Sequence, residues 1–325
     1  MPKLQSGGEH VRGQAAPNPQ EPRVEMQQGG STPEPMAKST FWERILRDKS
    51  AMTGTVILAV YAFVILFAPL IAPHDPYAID VDNIFRPPFF MRGGTMTYPL
   101  GTDELGRDLL SRLMFGMRLS VFMSTCVVAL IVAFGTVVGL LAAYYGKLVN
   151  VLLMRVTDIQ LSFPVVVLAI CVLVYTTPTV PAVITVLAIG NWPVYARVAR
   201  SLGLTEKAKD YVKAAQALGA SGARVIFKYI LRNIAASLLI VCILDLGAMV
   251  IWEAVLGFIG LSVLPPTPTL GNIMGAGWDY MVNAWWIATL PGIIVFFLLF
   301  GLSLLGEGIA GASGVRGSMQ VKTVV

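Results

Sequence analysis

Two acids interrupt an otherwise apolar run from Ile230 to Leu261: Asp245 near its middle and Glu253 nearer one end. A carboxylate at the centre of an apolar layer costs about 2.5–3.5 kcal/mol, so such a group faces a cavity or a partner. Each therefore either lines a polar pathway or hydrogen-bonds to a neighbouring helix or a second subunit. Arg155 and Asp158, three residues apart near one end of another apolar run, read as a structural pair. Gly311-Ala312-Ser313-Gly314 has the Gly-x-Ser-Gly form that a serine nucleophile could occupy. That chemistry needs a histidine base within reach, and His10 and His74 both lie outside the apolar runs. Cys126, Cys171 and Cys242 each sit inside an apolar run without metal-ligand spacing, as small hydrophobes do. The zinc-protease pattern H-E-x-x-H is absent, and so is any G-x-x-x-x-G-K-[ST] loop to cradle nucleotide phosphates. These residues predict no enzyme, no cofactor and no metal.

The elements that must position the acids are set by composition. Of 325 residues, 55% are hydrophobic and only 13% charged, against about 25% charged in an average soluble domain. The mean hydropathy is +0.70. So much apolar surface needs lipid to cover it. The net charge of +5 resides in loops beside apolar segments, which argues against a nucleic-acid partner.

A bilayer core takes about 20 apolar residues per helix. Six stretches qualify: Met52–Ala72, Met117–Tyr145, Val151–Tyr175, Val180–Arg200, Ile230–Leu261 and Trp286–Ile309. The first lies too far in and runs too long for a secretory signal peptide. Residues 1–40, rich in Pro, Gln, Gly and Ser, read as a disordered tail. Residues 41–98 read as an interfacial helix (Phe41 to Arg47), the first span and an outer loop. Residues 99–310 read as a five-span core, and 311–325 as a C-terminal tail. Basic residues place both termini in the cytoplasm: Lys38, Arg44, Arg47 and Lys49 precede the first span, and Lys207, Lys209, Lys213, Arg224 and Lys228 follow the fourth. Pro164 and Pro193 predict kinks in the third and fourth spans.

Two segments outside the spans stand out. In the outer loop, Thr102 is placed to cap a short surface helix with Asp103 and Glu104 in its first turn. Leu105, Leu109, Leu110, Leu113 and Met114 would share one face, and Asp103–Arg107 and Asp108–Arg112 would pair on the other. On the cytoplasmic side, Lys207 to Leu218 predicts a helix that Gly219 terminates, followed by an amphipathic stretch into the next span. Its small Ala214, Ala215 and Ala217 would let the elbow enter another protein's groove; an ordinary basic loop is the alternative.

The elbow sequence Tyr211-Val212-Lys213-Ala214-Ala215-Gln216-Ala217-Leu218-Gly219-Ala220-Ser221 resembles the Glu-Ala-Ala…Gly signature of binding-protein-dependent ABC importer permeases. Pro99-Leu100-Gly101-Thr102-Asp103-Glu104-Leu105-Gly106-Arg107-Asp108 is similar to a stretch of the C-type permease subunit of dipeptide and oligopeptide importers. Asp158 with Ser162-Phe163-Pro164, Glu253-Ala254 before Phe258-Ile259-Gly260-Leu261, Pro265-Pro266-Thr267-Pro268 before Gly271-Asn272, and Leu304-Leu305-Gly306 extend the likeness over Lys49 to Gly308.

The resemblance implies an all-α type I importer permease of six transmembrane helices, forming half of a peptide pathway. It further implies a homologous second permease, two ATP-binding subunits and an extracytoplasmic solute-binding protein. The elbow would be the coupling helix, with Ala214, Ala215 and Gly219 docking on the ATPase beside Lys213 and Ala220. Asp245 or Glu253, if lining the pathway, would meet the cationic end of a peptide. Three positions depart from the pattern: Lys213 stands where the family has Glu, Arg232 where it has Pro, and Gly306-Glu307-Gly308 lacks the usual charged finish. An ion-coupled carrier using the two acids is the rival reading, and it leaves the elbow without a purpose.

Overall fold

The computed structural model describes residues 48–312. The N-terminal tail, the Phe41–Arg47 interfacial helix and the C-terminal tail from Ser313 lie outside the described residues. Among the described residues nine α-helices follow in order: α1 Lys49–Ile71, α2 Leu109–Tyr145, α3 Lys147–Leu161, α4 Val165–Tyr175, α5 Val180–Lys207, α6 Asp210–Ala217, α7 Gly222–Phe258, α8 Leu270–Trp278 and α9 Trp286–Ala312. Of these, α1, α2, α5, α7 and α9 are each long and apolar enough to cross a membrane. The bent pair α3–α4 makes the sixth span when counted as one.

That third span is the first correction. Instead of one helix from Val151 to Tyr175, two helices meet at 73° across Ser162-Phe163-Pro164. Proline lacks the N–H that would continue the ladder and pushes the preceding residue out of helical geometry, so the chain breaks rather than bends. Pro193, by contrast, is accommodated inside a continuous α5. The second span also starts eight residues early, at Leu109, where the Asp108 carboxylate accepts the Ser111 N–H at 2.9 Å as an N-cap.

Helix α2 is the spine. Its 37 residues extend about 55 Å, well beyond the roughly 30 Å of a hydrocarbon core. It packs along α5 with almost no side chain between the backbones. A methyl group built on Gly139 would lie 2.3 Å from the Ala196 carbonyl oxygen and 2.8 Å from the Ala199 Cβ. Gly135, one turn earlier, meets Tyr195 and the Trp192 carbonyl as closely. Helices in lipid gain no hydrophobic drive from meeting each other, so close backbone approach between small residues supplies the contact. The Tyr195 hydroxyl then donates to the Leu238 carbonyl of α7 at 3.0 Å, joining three helices at one point.

Helix α7 opens with a π-helical stretch at Val225–Ile230, whose Val225, Ile226 and Ile230 are buried in the same core. At the other end, α1 lies against α9, and the Tyr61 hydroxyl donates to the Ile294 carbonyl at 2.6 Å.

Replacing Gly139 by Leu forces α2 and α5 apart and should cost about 1–3 kcal/mol, the usual range for overpacking. The expected readout is a lower thermal midpoint of the detergent-solubilised chain, with Leu substituted at the exposed Ala133 as an unaffected control.

Candidate functional site

The elbow leaves α5 and returns through α7. Helix α6 begins at Asp210, three residues later than expected from Lys207. It ends where Gly219 adopts φ +80°, with the Ala220 N–H donating to the Ala215 carbonyl and the Gly219 N–H to the Gln216 carbonyl, each at 3.0 Å. This double closure is the glycine-dependent stop expected at that position.

Only part of the elbow is available to a partner. Val212 and Ala215 are buried against the helix core, whereas Lys213, Ala214 and Gly219 are exposed and Ala220 is half-buried. Lys213 pairs with Asp210 at 3.1 Å, both side chains largely in solvent. The most exposed apolar side chain here is Leu218, at 89%, which sequence reasoning passed over. The signal was present: a leucine directly before the terminating glycine sits past the last anchored turn.

Polar contacts hold the elbow to the spans. The Tyr211 hydroxyl donates to the buried Glu206 carboxylate and accepts from Asn233 Nδ2 of α7 at 3.1 Å. Burial first, then the adjacent Glu206, pushes the Tyr211 phenol up to about 12. Lys209 pairs with the same Glu206 at 2.7 Å. Lys207 Nζ donates to the carbonyls of Ala143 and Tyr144 at the C-terminus of α2, where a cation is favoured. Tyr211 therefore ties α6 to α5 and α7, while Lys207, at the end of α5, ties α5 to α2.

The two intramembrane acids have different surroundings. Asp245 is half-buried on α7 beside Tyr195 and Cys242, and no described residue pairs or hydrogen-bonds with its carboxylate. Glu253 is completely enclosed. The Ser262 hydroxyl donates to it at 2.9 Å, and Ser120 of α2 and Thr269, the N-cap of α8, flank it. Glu253 thus joins α2, α7 and α8, and this geometry favours the structural alternative over pathway lining. The expected Arg155–Asp158 pair is replaced by Asp158 with Arg197 of α5 at 2.5 Å. A neighbouring helix offers a straighter approach than two residues on one helix.

The segment opposite the elbow carries a second correction. No surface helix begins at Thr102. Gly101 and Gly106 take φ +81° and +74°, and the loop folds back so that Thr102 bridges Asp108. A side chain at Gly106 would collide with the Asp80 carbonyl, 1.8 Å away. Asp103 does pair with Arg107, at 2.7 Å, but Arg112 pairs with Asp103 at 3.2 Å rather than with Asp108, which is occupied as the α2 cap. Glu104 completes the cluster on Arg107 at 2.7 Å. The α8 helix was also missed, although Thr269 and Asn272 form a capping box legible at that spacing.

Comparison with known proteins agrees with this arrangement. A family model described as "Binding-protein-dependent transport system inner membrane component" matches residues 135–311, more than half of the chain. The chain belongs to that family. A second model, the N-terminal transmembrane domain of oligopeptide transport permease C, matches residues 39–88 of this permease. Similar curated proteins include the di/tripeptide transport system permease protein DppC of Pseudomonas aeruginosa, 36% identical over 86% of this chain and 92% of the relative. The dipeptide permease DppC of Escherichia coli K12 is 36% identical over 87% and 94%. That of Alkalihalophilus pseudofirmus is 30% identical over 94% and 97%. A chain of the inward-facing MetNI methionine ABC transporter shares the fold, with a TM-score of 0.53 at 20% identity, covering 63% of this chain and 97% of its own. The permease is a multi-pass protein of the inner membrane, and its relatives are transporter subunits rather than enzymes.

Within the permease, Asp103 neutralises two buried arginines at once. Changing Asp103 to Ala should cost about 3–5 kcal/mol, because it leaves buried charges without their shared partner. A thermal-melt comparison checks this, and a loss no larger than that of a surface Asp75→Ala control would refute the shared-partner role.

Proposed function

We propose that this chain is one membrane-spanning half of an ATP-driven importer for dipeptides or other short peptides, working by alternating access. The observation that carries the reading is the elbow: a capped helix projecting between two spans, exposing Ala214, Leu218 and Gly219 while Tyr211 ties it to α5 and α7. The relatives named as dipeptide permeases support the solute class.

In this reading the elbow faces the cytoplasm and seats in a groove of an ATP-binding subunit, one for each permease half. A homologous second permease completes the pathway, and an extracytoplasmic solute-binding protein delivers cargo. Both termini are cytoplasmic. The chain has no phosphate-binding loop of its own, so ATP is hydrolysed in the partner subunits. Leu218 fills an apolar pocket of the ATPase, and Lys213, already partnered by Asp210, meets an acidic rim. Closure of the ATPases displaces α6, and the Lys207 and Tyr211 contacts pass that displacement to α2, α5 and α7. Asp245, the intramembrane acid left without a partner, is the candidate to meet a cationic group in the pathway.

The test is to purify the tagged chain from its native membranes in mild detergent and identify what accompanies it by mass spectrometry. A second permease and an ATPase bearing the phosphate-binding loop are expected with the wild type. Leu218→Asp and Gly219→Asp should each lose the ATPase and keep the second permease. A wild type that repeatedly arrives without any ATPase sinks the docking assignment and turns attention to an ion-driven carrier built on Asp245. Within an intact complex, Tyr211→Phe should leave ATP hydrolysis in place and lower peptide uptake several-fold, because it severs the Glu206–Asn233 link without touching the docking face.

A further inference from the structure

Arg118 lies on α2 about two and a half turns from its start, at the end opposite the elbow. Its side chain is exposed, and no described residue forms an ion pair or hydrogen bond with it. The contrast with its neighbours is sharp, since Arg107 and Arg112 are both buried against Asp103. Arg118 instead opens into a cavity of about 630 Å³ lined by Ile65, Tyr77, Phe115, Phe122, Thr125 and Thr267.

That cavity is the first of three. Thr125 also lines a second, of about 320 Å³, together with Val132, Ala133 and Cys242. Those last three residues also line a third, of about 520 Å³, which reaches Phe227 and Leu231 beside the elbow. The shared residues make a continuous groove along α2 and α7, from the outer loop to the elbow. Arg118 is the one charged side chain that lines any of the three cavities.

A cation near the end of a span that opens into a cavity and pairs with no described residue is free to take an anion there. A planar guanidinium binds a carboxylate through two parallel hydrogen bonds, a fork that phosphate also fits. A short peptide carries one such group at its C-terminus, and the rest of the groove offers apolar walls and hydroxyls to a backbone and small side chains. Resting on the importer reading above, we propose that Arg118 receives the C-terminal carboxylate of the transported peptide as it enters this groove.

The experiment uses the complete transporter, with its second permease, ATP-binding subunits and binding protein, in proteoliposomes. A single cysteine is placed at Thr125, with Cys126, Cys171 and Cys242 replaced. The rate of its labelling by N-ethylmaleimide is followed without ATP or binding protein. Dialanine should slow labelling several-fold and dialanine amide should not. The protection should vanish in Arg118→Gln and persist in part in Arg118→Lys. In the uptake assay, Arg118→Gln should import dialanine about tenfold more slowly, the loss expected for a charged hydrogen-bonding partner. Its thermal midpoint should stay at the wild-type value.

Equal protection by the acid and the amide overturns the proposal, as does unchanged uptake in Arg118→Gln beside a functioning wild type. An uptake defect that disappears in membranes free of anionic lipid would assign Arg118 to a lipid phosphate instead. Loss of the second permease from the Arg118→Gln complex would assign it to an acid on that partner. A wild-type complex that neither imports dialanine nor raises its ATP hydrolysis with loaded binding protein fails at the importer reading itself, and this inference falls with it.

Discussion

The contact between α2 and α5 is the constraint on which the other placements depend. In lipid every backbone N–H and C=O must be satisfied inside its own helix, so the helices arrive as finished rods. What remains is to decide which rods touch and how closely. Gly135 and Gly139 let α5 approach to backbone contact, with Ala196 and Ala199 opposite them. Once that pair is set, Tyr195 reaches the Leu238 carbonyl and fixes α7. The α3–α4 corner is then pinned to α5 through Asp158–Arg197 and Asn150–Arg200. The groove bearing Arg118 is what remains open on the other side of α2.

The two ends of this spine are held by different chemistry. At the end opposite the elbow, buried charges share partners: Asp103 serves two arginines, and the Arg112 guanidinium also donates to the Pro76 carbonyl at 3.1 Å. Such a cluster is rigid because every member is needed. At the elbow end the links run through Lys207, Lys209, Tyr211 and Asn233, set at the edge of the core around the one buried acid Glu206. The stiff end holds the shape of its loop, and in the proposed importer the polar links at the other end carry the movement of the elbow. Glu253 belongs with the stiff end, enclosed by Ser120, Ser262 and Thr269.

Much of this was legible in the sequence because the bilayer simplifies the grammar. Apolar length alone located the spans, and Gly219 announced the end of the elbow helix correctly, with only its start misplaced. The errors share a cause: they occur where a local pattern competes with a contact distant in sequence. Thr102-Asp103-Glu104 reads as a helix start until Gly106 is seen to press on the Asp80 carbonyl. Arg155 and Asp158 have helix spacing, but α5 presents Arg197 to Asp158. Pro164 marks the interruption in the sequence, and the structure adds the 73° angle and the contact of Val165 with Gly190 of α5. The significance of Arg118 was invisible for the same reason, since an arginine near a span end looks ordinary until its lack of a partner is known.

The π-helical stretch at Val225–Ile230 bears on how this chain tolerates changes in length. A π turn accommodates one residue more than the α-helix around it. Because the surplus residue is taken up within one widened turn, the helix on either side of it keeps its phase. Deleting one residue there would restore regular winding and leave the elbow and the body of α7 facing nearly the same way. The same deletion in the regular body of α7 would instead rotate everything beyond it by about 100°. The surplus residue therefore acts as slack in the chain, and the loss of one residue from Val225–Ile230 should be better tolerated than the same loss further along α7.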